Sequence, residues 1–101
     1  MTTTIEEQNG KTVISLNGRL DTAAALLLEK EVKYLYDSEA KDIILECSKM
    51  EYISSSGLRI FLSLLKAVKP KGGHVTIKGV SNEVRDVFTV TGFINLFEFI
   101  P

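Results

Sequence analysis

The 101-residue sequence contains a single cysteine, a single histidine and no tryptophan. A structural zinc site takes about four cysteine and histidine ligands, which this chain cannot supply, so a zinc cluster is excluded. Cys47 has no second cysteine with which to form an internal disulfide, and it ends a mainly apolar segment, so we interpret it as a small core residue. We therefore expect a reducing compartment, no metal and no cofactor.

The sequence also lacks an excess of one charge and any long apolar run. Twelve lysines and arginines stand against thirteen aspartates and glutamates, which gives a formal net charge of -1. Binding to nucleic acid depends on a concentrated basic surface, so no direct nucleic-acid partner is expected. Residues 1–7 lack the basic start and apolar core of a signal peptide, and no apolar stretch approaches the ~20 residues that span a bilayer. These absences predict a cytoplasmic protein with no membrane partner.

Sequence signatures of catalysis are missing as well. The serines at 54–56 follow Tyr52-Ile53, which does not fit the Gly-x-Ser-x-Gly turn of serine hydrolases. The glycines of segment 69–73 lack the spacing of a Walker phosphate-binding loop. His74 is predicted to lie within a strand, and nothing ties it to a serine nucleophile. We therefore expect a protein that is not an enzyme.

What the sequence does contain is an alternation of strand and helix signals. Asn9-Gly10 separates two strand-like runs and is a strong signal for a two-residue hairpin. Asp21 is placed to cap a helix that runs from Thr22 to about Tyr36. Further strands are predicted at 42–47, 74–78 and 96–100, with helices from Ser55 to before Pro70 and from Ser81 or Asn82 to Gly92. The pattern predicts one α/β domain over residues 1–101, with a mixed central sheet of about five strands packed with three or four helices.

The second predicted helix is unusually apolar. Only Arg59, Ser63, Lys66 and Lys69 interrupt its apolar residues, and they form a polar stripe at helical spacing. A helix of this kind is either largely buried or presents an apolar edge to a partner. The general tendency of apolar faces to lie in cores favours burial.

The run Ser54-Ser55-Ser56-Gly57 stands immediately before this helix. Its simplest interpretation is structural, because a serine at a helix start accepts a hydrogen bond from an otherwise unpaired backbone N–H. A second interpretation is a phosphorylation switch, because a helix N-terminus suits a phosphate and phosphorylation adds about -1.5 to -2 charges. The residues alone favour the cap.

The order and spacing of these segments resemble the STAS domains, and in particular the bacterial anti-sigma factor antagonists. The matching segments are 16–21, 43–48, 52–59, Gly73 and 91–93. The resemblance implies a STAS-like fold that binds an anti-sigma factor, which is also a serine kinase with an ATP-binding fold, and thereby releases a sigma factor. It also implies that phosphorylation of one serine breaks the complex and that a metal-dependent serine/threonine phosphatase restores it.

Carried onto this chain, the resemblance makes Ser55 the phosphate acceptor. In the family motif an Asp stands directly before the acceptor serine, and a Gly-Leu pair comes two residues after the acceptor. Gly57 and Leu58 of this chain match that pair. The partner-binding residues implied in this way are Asp21, Ser54, Ser55, Ser56, Gly57 and Leu58.

This sequence departs from the family pattern at two positions. Ser54 replaces the Asp before the acceptor, which leaves Ser54 and Ser56 as alternative acceptors, and Glu46 stands where an Asp usually closes the third strand. Two other functions therefore stay open. One is a STAS scaffold that is not phosphorylated, such as a subunit of a stress-signalling or transport complex. The other is a module that binds a small molecule or nucleotide, although no phosphate-binding loop supports it.

Overall fold

The computed structural model describes residues 1–101. The strands are β1 (Thr2–Gln8), β2 (Lys11–Leu20), β3 (Asp42–Glu46), β4 (Met50–Ile53), β5 (His74–Lys78) and β6 (Glu98–Ile100). The helices are α1 (Thr22–Tyr36), α2 (Ser55–Val68) and α3 (Asn82–Thr91), and a 3₁₀ turn at Lys69–Lys71 follows α2. The predicted α/β class is confirmed.

The sheet is mixed, with strand order β1-β2-β3-β5-β6. Only β1 runs antiparallel to its neighbour, while β2, β3, β5 and β6 are parallel to one another. The two residues between β1 and β2 both have positive φ, 53° at Asn9 and 80° at Gly10. Positive φ at both central positions is the geometry of a type I′ hairpin, so the Asn-Gly prediction is confirmed.

The strand β4 was not predicted from the sequence, which indicated about five strands where the structure has six. It lies parallel to the end of β2 and pairs with Gly18, Arg19 and Leu20, with a register shift between the first two. Its burial does not alternate, because both ends of Met50–Ile53 are buried while Glu51 and Tyr52 are exposed. A strand of four residues without period-2 alternation gives no recognisable sequence pattern.

The core lies between one face of the sheet and the helices. Strand residues on this face are buried, including Ile14, Leu16, Leu45 and Ile77, whereas their neighbours in sequence are at least partly exposed. Three phenylalanines join the helices to the far edge of the sheet, with ring centroids 5.7 to 6.4 Å apart; they are Phe61, Phe88 and Phe97.

Two interpretations of core residues are confirmed. Cys47 is 1% exposed. Helix α2 buries Leu58, Ile60, Phe61, Leu64 and Val68, so its apolar face belongs to the core. Burial is therefore the correct alternative for this helix.

Candidate functional site

Two neighbouring parallel strands, β2 and β4, lead directly into helices at the same edge of the sheet. Leu20 at the end of β2 stands opposite Ile53 at the end of β4. The backbone N–H of Ser54 donates to the carbonyl oxygen of Leu20 over 2.8 Å. The residues that follow the two strands, Asp21 and Ser54, are therefore next to one another, and the starts of α1 and α2 form one surface.

Asp21 and Ser54 are both N-caps. Asp21 has extended backbone, and its Oδ1 accepts from the N–H of Ala24 over 2.9 Å. Ser54 is also extended, and its Oγ accepts from the N–H of Gly57 over 3.2 Å. The two differ in exposure, because Ser54 is only 9% exposed while Asp21 is open to solvent. The structural interpretation of the serine run thus holds for its first member.

Gly57 allows α2 to approach the strand ends closely. A Cβ at this position would lie 2.6 Å from Cγ and 2.7 Å from Cδ2 of Leu20, and 3.2 Å from Cγ1 of Ile53. The next residue, Leu58, is 4% exposed and belongs to the hydrophobic core. These two residues hold the helix start in position and do not offer side chains to a partner.

Ser55 and Ser56 begin α2, and their environments differ. Ser55 is the first helical residue and is exposed. Ser56 is half-buried and lines a groove between α1 and α2 with Leu26 and Arg59. Of the three serines, Ser55 is the most exposed residue.

Exposed apolar side chains lie on the two elements next to the start of α2. On α1, Leu26 is 67% and Leu27 63% exposed. On β4, Tyr52 is 40% exposed, and the guanidinium of Arg19 stacks 4.4 Å from its ring centroid. Arg19 also lines, with Asp21 and Leu27, a cavity of about 460 Å³ beside the start of α1.

The apolar part of this surface was not predicted from the sequence. The exposed leucines Leu26 and Leu27 do not belong to the apolar stripe of α1, which comprises Ala25, Leu28, Val32 and Leu35. Two leucines off the buried stripe of an amphipathic helix would have been the signal. The pair of Arg19 and Tyr52 was not detectable, because it depends on the register of the unpredicted strand β4.

Three side chains have a pKa displaced from its ordinary value, and none of them lies at the start of α2. The hydrogen bond from Ser48 to the Glu46 carboxylate holds the pKa of that carboxyl below its usual range. Burial raises the pKa of the Cys47 thiol to about 12. Burial, together with the hydrogen bond to Glu29, raises the pKa of Tyr36. Glu46, the second departure from the family pattern, thus stabilises the turn that follows β3.

No three side chains among the histidine, cysteine, aspartate and glutamate residues are grouped so that they could bind a metal ion. None of the helices has the length and apolar composition required to cross a membrane. His74, which was predicted within a strand, is the first residue of β5 and is exposed.

Comparison with known proteins identifies the family. The STAS domain family matches residues 2–101. A Bordetella bronchiseptica protein named "Putative anti-sigma factor antagonist BtrV" is 30% identical over 97 residues, which cover 96% of this chain and 84% of that protein.

Two solved structures share the fold. An anti-sigma factor antagonist from Mycobacterium paratuberculosis superposes with a TM-score of 0.87 at 23% identity, over 99% of this chain and 85% of that one. The phosphorylated form of SpoIIAA, a Bacillus cell fate determinant, has a TM-score of 0.77 at 20% identity over 99% of this chain and 92% of that one. The chain is thus a STAS domain of the anti-sigma factor antagonist family, a family of regulatory proteins that are not enzymes.

Proposed function

We propose that this protein binds an anti-sigma factor that is also a serine kinase with an ATP-binding fold, and that this binding releases a sigma factor. The observation that carries the proposal is the exposed position of Ser55 at the start of α2, on the surface formed by the starts of α1 and α2. Proteins named as anti-sigma factor antagonists resemble this chain in sequence and in fold, which supports the proposal. Because such partners act in transcription, we place the module in the cytoplasm.

The partner contacts a docking surface that comprises Arg19, Asp21, Leu26, Leu27, Tyr52 and Ser55. Exposed leucine and tyrosine side chains supply apolar area, and the Arg19–Tyr52 stack supplies a residue pair of the kind enriched where interfaces bind most strongly. Gly57 and Leu58 contribute by supporting this surface from the core. Asp21 combines two roles, because its carboxylate caps α1 while remaining exposed.

Phosphorylation of Ser55 switches binding off. The Ser55 Oγ attacks the γ-phosphorus of ATP, the bond from that phosphorus to the bridging oxygen breaks, ADP leaves, and the hydroxyl proton is released. The product carries about -1.5 to -2 charges at the exposed start of α2, where a partner surface would have to desolvate them. A serine/threonine phosphatase hydrolyses the phosphate and restores binding.

Several observations favour Ser55 over its neighbours. Ser54 is nearly buried, and its oxygen accepts the cap hydrogen bond, so a kinase could reach it only by opening the helix start. Ser56 faces the groove between the helices and is half-buried. A solved structure of a phosphorylated domain with this fold supports the general scheme.

The proposal is tested by incubating the protein with the kinase and ATP and locating the phosphate by mass spectrometry. One phosphate on Ser55 is expected, with none on a Ser55→Ala variant. A phosphate that appears instead on Ser54 or Ser56 would contradict the assignment.

A binding experiment tests the switch itself. Ser55→Asp is expected to weaken binding to the anti-sigma factor by at least tenfold, which corresponds to about 1.4 kcal/mol. The matched control is Asn82→Asp, which adds the same charge at the first position of α3. Equal binding by both variants would refute the switch.

A further inference from the structure

The first cation of α2 stands one helical turn after the proposed phosphate acceptor. Arg59 follows Ser55 by four residues, and both side chains are exposed. Residues four apart lie on the same face of an α-helix and are separated by about 6 Å along its axis. An acidic group placed N-terminal to a cation at this spacing is the more favourable orientation.

Arg59 has no acidic neighbour on its own helix. The positions three and four residues away on α2 are Ser55, Ser56, Leu62 and Ser63. Across the groove, the one carboxylate in the lining is that of Glu29, and its Oε2 accepts a hydrogen bond of 2.8 Å from the hydroxyl of Tyr36. The unmodified helix therefore gives Arg59 no acidic partner at helical contact distance.

We propose that Arg59 pairs with the phosphate of Ser55 and serves as the counter-ion of the switched-off state. The inference rests on the proposed function, which assigns the phosphate to Ser55. An arginine side chain can donate two parallel hydrogen bonds to a phosphate, and it keeps its charge at every physiological pH.

This pairing increases the effect of one modification. Before phosphorylation, the guanidinium of Arg59 is available to a carboxylate of the partner. After phosphorylation, the same guanidinium is occupied by the phosphate. A single phosphate therefore adds an anion to the docking surface and withdraws a cation from its edge.

The experiment uses the full chain with phosphoserine installed chemically at position 55, so no kinase is needed. Phosphorus NMR follows the phosphate as the pH is varied, and the second phosphate pKa is read from the titration. Arg59 stabilises the dianion, so this pKa is expected to be about 0.3 lower in the wild-type sequence than in Arg59→Gln. Arg59→Lys retains the charge and should preserve most of the difference.

Lys66→Gln is the matched control, because it removes a cation of the same helix about 16 Å from Ser55 along the axis. That distance exceeds the screening length of about 8 Å at physiological salt, so its titration should match that of the wild-type sequence. Thermal unfolding of each variant confirms that the fold is intact.

Equal titration by the wild-type sequence and Arg59→Gln would overturn the inference, as would an equal change in Lys66→Gln. Neither result would contradict the proposed function, because partner binding and the site of phosphorylation are measured in separate experiments. Failure of the kinase to modify Ser55 would instead count against the proposed function, without altering the titration.

Discussion

The backbone N–H of Ser54 lies 2.8 Å from the carbonyl oxygen of Leu20, and this hydrogen bond joins the starts of α1 and α2. The side chain of Leu20 packs against the position of Gly57, so one buried residue contacts both the cap and the first turn of α2. The exposed serine is therefore presented by a rigid support.

Gly57→Ala is expected to destabilise the fold by about 1–3 kcal/mol, since the new Cβ would overlap the Leu20 side chain in a packed core. The free energy of unfolding is measured by urea denaturation. Ser56→Ala is the control, because it adds no atoms one residue away. A Gly57→Ala variant as stable as the wild-type protein would show that Leu20 can move aside.

Replacement by alanine should change the free energy of unfolding by different amounts at Ser54 and at Ser55. Ser54→Ala removes the cap of α2 and should cost about 1 kcal/mol of unfolding free energy, whereas Ser54→Asp should retain the cap. Ser55→Ala should change stability by less than about 0.5 kcal/mol, because its side chain is exposed. A larger loss at Ser55 than at Ser54 would contradict the observed cap geometry.

Leu26→Ser is expected to weaken binding to the anti-sigma factor by about tenfold or more while leaving the melting temperature nearly unchanged. Leu26 is 67% exposed, so it contributes little to the core, and it borders the groove that Ser56 and Arg59 line at the start of α2. Val90→Ser is a suitable comparison, because Val90 is 86% exposed on α3. If both substitutions weaken binding equally, the docking surface has been misplaced.

Ionisation of the Cys47 thiol should lower the free energy of unfolding in alkaline solution. Burial raises the pKa of its thiol from 9.0 to about 12, so the folded state favours the protonated form. The unfolded state binds fewer protons in this interval, and stability is therefore constant below about pH 9 and lost as the pH rises toward 12.

The contribution of the thiol is isolated by comparing melting temperatures of the wild-type protein and Cys47→Ala between pH 7 and 11. The alkaline decline should be steeper in the wild-type protein. Parallel curves would show that ionisation of Cys47 is not coupled to unfolding. A thiol reagent should likewise modify Cys47 only after denaturation.

Most of the architecture followed from local patterns in the sequence. The Asn9-Gly10 turn, the cap at Asp21 and the glycine stop of α3 at Gly92 each depend on one or two residues with strong conformational preferences. The strand β4 could not be predicted, because four residues with buried ends and an exposed middle match neither strand nor helix periodicity.

The candidate site was only partly accessible to sequence analysis. Ser55 was selected by family resemblance, and the distinction between a buried cap and an exposed neighbour required the structure. The residues Arg19 and Tyr52 are 33 positions apart in sequence and meet only through the pairing of β2 with β4. Their contact depends on tertiary register, about which local patterns carry no information.

On the side away from β1, strand β2 has two partners in succession, because Thr12–Ser15 pair with β3 and the last three residues of β2 pair with β4. A force that pulled the docking surface away from the domain would be transmitted along this strand into the centre of the sheet. Deforming the surface would therefore require the rupture of backbone ladders beneath it. We therefore expect the backbone at Arg19 and Tyr52 to keep its position when a partner binds.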